Sequence, residues 1–135
     1  MAIDLYLCVT LPLLHMGTPL GLSQWDASNL LGAAAFRGGL STAAIGFSMH
    51  MCVSIAWAIA FALAAARLRW LREHPLQAGL LFGVLVMGVM SYVVVPLGQA
   101  AHPSTALAAL ANTLVAHTLF FGVPVAWVAT GNKIS

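Results

Sequence analysis

A bundle of four transmembrane helices is the fold that this sequence predicts, and three observations predict it. Only five Lys or Arg and three Asp or Glu occur in 135 residues. Hydrophobic residues make up 61% of the chain. They gather in runs long enough to cross a bilayer, which takes about 20 residues at roughly 1.5 Å of rise each. Hydrocarbon offers a backbone amide no water, so such runs must hydrogen-bond internally, as helices do. Four helices and short loops use the whole length, giving one integral domain over residues 1–135.

The first span is read at about 3–21. Pro12 and Pro19 make it the weakest, because proline removes a helical hydrogen bond. Asp4 is the only formal charge before Trp25, unlike the positive start of a cleaved signal, so this span is expected to be retained. The second span covers about 42–66 and the third about 77–97, closing at Pro96. The fourth covers about 105–130, with Pro103 before it and Pro124 in its last third. Between the first two spans, Asp26 reads as a helix cap and Gly38-Gly39 as a stop. Leu30, Leu31 and Ala34 recur at helical spacing. A short interfacial helix at the membrane surface is predicted there.

Arg67, Arg69 and Arg72 join the second and third spans, and Lys133 follows the fourth. Arg37 alone lies on the opposite side. Basic loops stay in the cytoplasm, so both termini and the Arg67–Arg72 connection are expected there. Trp25, Trp70, Tyr92 and Trp127 fall near span ends, as interfacial anchors do. The net charge of +2, with no basic run, points away from nucleic acid.

In lipid, helices associate through close approach, so small residues mark contact faces. Gly79 and Gly83 form a G-x-x-x-G pattern in the third span, and Ala56, Ala60 and Ala64 repeat every turn in the second. These faces serve contacts within one bundle or between copies. The expected partners are therefore membrane lipid and either a second copy or a larger membrane complex.

Polar groups at depth carry the functional clues. His15, His50 and His117 fall within spans, with Thr113 one turn before His117. The run Ser48-Met49-His50-Met51-Cys52 concentrates soft donors. Thioether, imidazole and thiolate suit copper(I), which makes His15, Met49 and Cys52 metal candidates with Met16 and His117. Consecutive helical positions point in different directions, so such a site needs several spans. A second reading holds haem, or a chlorin, between His50 and His117, with Gly46 one turn before His50 leaving room for a macrocycle. No C-x-x-C-H occurs for covalent attachment, and the sequence requires no cofactor. A third reading has the histidines bonding across helices while Met fills gaps. Cys8 and Cys52 are expected as buried reduced thiols.

Asp4 reads as a cap at the cytoplasmic start of the first span. No acidic residue then lies deep in a span, which weighs against ion-coupled transport, while a small-molecule channel or transporter with its path between paired four-span units is a further reading. No nucleophile elbow, H-E-x-x-H or P-loop occurs. A non-enzymatic multi-pass protein, acting as an accessory subunit or a self-associating bundle, is the expected function.

The stretches Leu31-Gly32-Ala33-Ala34-Ala35-Phe36-Arg37-Gly38-Gly39, Ala43 through His50, Met90 through Leu97, and His117 through Pro124 resemble those of a family of small bacterial inner-membrane proteins. The resemblance implies four spans, an inner-membrane location and histidine at His50 and His117, but no activity. The chain departs from the family at Ser91, where asparagine is common. Met49, Met51 and Cys52 are not family features, which weighs against copper.

Overall fold

The computed structural model describes residues 2–101 and 104–131. His102, Pro103 and Lys133 of the expectations above lie outside them. Among the described residues the secondary structure is helical, with no strand. Six helices follow in order: α1 Ala2–Leu13, α2 Pro19–Leu31, α3 Gly39–Arg67, α4 Arg69–Glu73, α5 Pro75–Leu97 and α6 Leu107–Ala129. A 3-10 turn, Gly32–Arg37, joins α2 to α3.

Three of these, α3, α5 and α6, are long and apolar enough to cross a membrane. Their outer surfaces carry large apolar side chains: Leu63 is 65% exposed and Leu81 62%. Hydrocarbon accommodates such a surface and water does not.

The first expected span divides in two. The helix ends at Leu13, and the chain turns through His15, at φ +53°, and Gly17, at φ +148°. Thr18 then caps α2 by accepting a hydrogen bond from the Gly21 amide at 3.1 Å, with Pro19 in the first turn. A Ser/Thr cap followed by Pro is a strong start signal, because Pro has no N–H to lose there. Asp26 is therefore mid-helix and caps nothing. At about 1.5 Å per residue, the 12 residues of α1 extend about 18 Å, roughly half a hydrocarbon core.

α3 and α6 run in the same direction and α5 runs opposite to them, with α6 packed against both. Phe61 and Ala65 of α3, Ala78 of α5 and Ala126 of α6 form a buried layer near the end bearing Arg67–Arg72. A second layer at mid-height joins Ile3, Val86, Ala116 and Phe121, with Trp57 packed against it. Ile3 is 2% exposed. Thus α1 begins at mid-height, beside α5 and α6, and runs toward the end opposite Arg67.

Glycines set the helix crossings. A Cβ on Gly83 would collide with the His117 carbonyl, and one on Gly122 with the Gly79 carbonyl. The α5–α6 contact is therefore backbone against backbone. A Cβ on Gly46 would strike the Ser23 carbonyl, so α2 crosses α3 at Gly46. Ala56 and Ala60 of α3 are exposed, and Ala60 lines a groove between α3 and α5.

Both later helices widen by one π turn ahead of a proline. Met90–Val94 precedes Pro96, and Thr118–Gly122 precedes Pro124. The Val95 and Val123 amides reach five residues back, to Met90 and Thr118. A wider turn relieves the clash that a proline ring makes with the carbonyl one turn before it. In α6 the wide turn also divides two adjacent aromatics between partners. Phe120 stacks on Tyr6 of α1, centroids 4.3 Å apart, while Phe121 lies 6.1 Å from Phe82 of α5.

Candidate functional site at His50

His50 follows Gly46 by one turn of α3. At about 1.5 Å per residue it lies roughly 16 Å along the helix from Gly39 and roughly 25 Å from Arg67. Two carboxylates meet its ring. Asp4 of α1 brings Oδ1 to 3.2 Å from Nε2, and Asp26 of α2 brings Oδ2 to 3.7 Å from Nδ1. The three side chains are between 21% and 25% exposed. Nε2 is within ion-pair distance of Asp4, but no hydrogen bond to it is well aligned.

Each partner is positioned by a feature already described. The start of α1 at mid-height, fixed by buried Ile3, carries Asp4 to the ring. The α2–α3 crossing at Gly46 carries Asp26 there, and Gln24 Nε2 tethers α2 by donating to the Gly39 carbonyl at 3.1 Å. One turn beyond Asp26, Asn29 donates to the Asp26 carbonyl at 3.2 Å, while its Oδ1 is buried and accepts no hydrogen bond. The Asn29 carbonyl accepts from the Gln99 amide at 3.0 Å, which ties α2 to the end of α5.

The electrostatics follow. Burial, reinforced by the nearby Asp4 charge, raises the Asp26 carboxyl from 3.8 to about 7. Two acids beside one imidazole in a poorly hydrated place cannot all ionise without cost.

Asp4 does lie in the first turn of α1, where a negative charge suits the helix N-terminus, but that turn stands beside His50 rather than at the Arg67 end. Asp4 and His50 are 46 positions apart, and only the placement of α1 joins them. A hint existed: an acid four residues into an apolar run needs a partner.

The other candidates are dispersed. His117 Nδ1 is 2.9 Å from the Thr113 carbonyl of its own helix, and its ring lies within electrostatic range of His50. The partner at Thr113 is thus the backbone, not the hydroxyl. His15 is exposed in the α1–α2 turn. Met49 is half-buried and Cys52 exposed, beside each other in a shallow depression with Ala44, Ile45 and Ser48. Cys8 is also exposed, so both thiols face outward rather than into the core. Among the described residues no three His, Cys, Asp or Glu side chains are grouped to hold a metal ion. The space beside Gly46, expected to admit a macrocycle, is filled by the α2 backbone. Asn112 is buried and accepts a hydrogen bond from Tyr6 Oη at 2.8 Å, linking α1 to α6.

No family model matches the chain, and the searches of curated proteins and of solved structures found no match. The family resemblance therefore rests on the quoted residues alone.

Proposed function

We propose that this chain is a non-enzymatic, multi-pass protein of the bacterial inner membrane that binds a proton at Asp4, Asp26 and His50. In this reading α3, α5 and α6 are full spans and α1 is a partial fourth passage. α2 is the interfacial helix, lying across the outer half of α3. The Arg67–Arg72 end faces the cytoplasm, by the preference of basic loops for that side. The protein works within a larger membrane assembly or with copies of itself.

The observation that carries the reading is the convergence of two acids and an imidazole from three separate helices, at 3.2 and 3.7 Å. Ionisable groups against membrane helices are costly and persist where they do something. The helix that supplies Asp26 also carries the polar residues Gln24, Ser28 and Asn29. Toward Arg67 lie the two apolar layers around Val86 and Phe61. The cluster therefore exchanges protons with the outer side and does not conduct them through. A protonation-linked switch fits that arrangement better than a channel.

Double-mutant cycles test it. Asp26→Asn and His50→Gln, alone and together, are unfolded in detergent above and below neutral pH. A coupling energy of about 0.5–3 kcal/mol that changes with pH is expected. Additive effects at every pH would refute a shared proton. Vesicles with an entrapped pH dye should show no sustained proton flux, and a His50-dependent flux would make the protein a conductor instead.

A further inference from the structure

We infer that the groove between α3 and α5, at the end bearing the arginines, is a binding site for an anionic phospholipid. The proposal rests on the membrane reading above but not on the His50 cluster. The groove holds about 330 Å³ and is lined by Ala60, Ala64, Trp70, Leu81, Phe82 and Leu85. Its walls are almost wholly apolar, and small alanines on α3 leave the depth that an acyl chain fills.

Charge stands at the mouth. Ala60, Ala64 and Arg67 follow one another at helical spacing, so Arg67 continues the groove-facing side of α3. Trp70, stacked on His74 with centroids 5.4 Å apart, belongs to the wall, and Arg69 and Arg72 share its short helix α4. Arg69 is paired with Glu73 at 2.6 Å. Arg67 and Arg72 form no ion pair among the described residues, although Arg72 donates to the Ala66 carbonyl at 3.4 Å. An apolar slot with two available guanidinium groups at its rim matches a chain topped by a phosphate, since guanidinium pairs with phosphate in a bidentate manner.

A second copy fits less well. A twofold interface brings the same patch against itself, so these arginines would face their own counterparts. The tryptophan at the rim suits the headgroup level of a bilayer.

The test uses the full chain purified in detergent and examined by native mass spectrometry with dioleoyl-phosphatidylglycerol or dioleoyl-phosphatidylcholine. Retention of phosphatidylglycerol over phosphatidylcholine is expected. Arg67→Gln and Arg72→Gln should each weaken that retention about fivefold, at about 1 kcal/mol per basic residue near an anionic lipid. Ala60→Trp, a change at an exposed position, should fill the groove and abolish retention while the arginines remain. Equal retention of both lipids, or phosphatidylglycerol binding untouched by Ala60→Trp, would overturn the proposal. So would soluble glycerol phosphate competing as well as the lipid, or Ala60→Cys cross-linking two copies. Insertion into nanodiscs of either lipid checks the membrane reading separately.

Discussion

Asp26 Oδ2 stands 3.7 Å from His50 Nδ1, across a helix crossing that only glycine at position 46 permits. The pair joins the packing of α2 to the chemistry of α3, so a change in one should be read in the other.

The raised Asp26 pKa makes stability pH-dependent. Between 3.8 and about 7 the unfolded chain releases the Asp26 proton while the folded protein keeps it. The folded state then binds more protons, so its contribution to stability is complete below 3.8 and is lost as pH rises through about 7. Asp26→Asn should flatten this decline and raise the melting temperature above neutral pH. Thermal melts of both proteins across that range check it, and parallel curves would count against the assignment.

Gly46→Val should push α2 away from α3 and move Asp26 from the ring. The carboxyl would gain water, so the decline in stability should shift toward lower pH. The same melts, with helicity followed by circular dichroism, separate this shift from loss of fold.

Gly83→Ala should cost about 1–3 kcal/mol, the usual range for overpacking, because its Cβ meets the fixed His117 carbonyl. Gly88→Ala meets nothing within 4 Å and should be close to neutral. Unfolding in detergent compares the two, and equal effects would mean that the α5–α6 crossing is not backbone against backbone.

Tyr6→Phe should cost about 1 kcal/mol by removing the hydrogen bond that Tyr6 Oη donates to Oδ1 of buried Asn112. His117→Leu should cost less than the roughly 0.6 kcal/mol of an average interhelical bond, because its bond lies within one helix. If His117→Leu proved the more damaging, the ring would hold a cross-helix role that its Thr113 contact does not explain.

The long apolar helices were legible because composition alone selects them: α3, α5 and α6 match the expected second, third and fourth runs closely. The small residues at Gly79 and Gly83 were legible as contact points, since nothing else in lipid draws helices so close. The start of α2 was legible in principle from Thr18-Pro19, but the apolar run on both sides masked it. The π turns were not legible, because a proline fixes where a helix must yield and not how. The cluster at His50 was the least legible. Its members come from three helices, and its existence depends on α1 starting at mid-height, which is set by the burial of Ile3 rather than by any local signal.

Infrared difference spectroscopy of the protein in lipid tests the central claim most directly. A protonated carboxyl band should disappear as pH is raised through about 7 and be missing in Asp26→Asn. A spectrum in which no carboxyl titrates near neutrality, or in which the band survives that substitution, would contradict a proton shared at Asp4, Asp26 and His50.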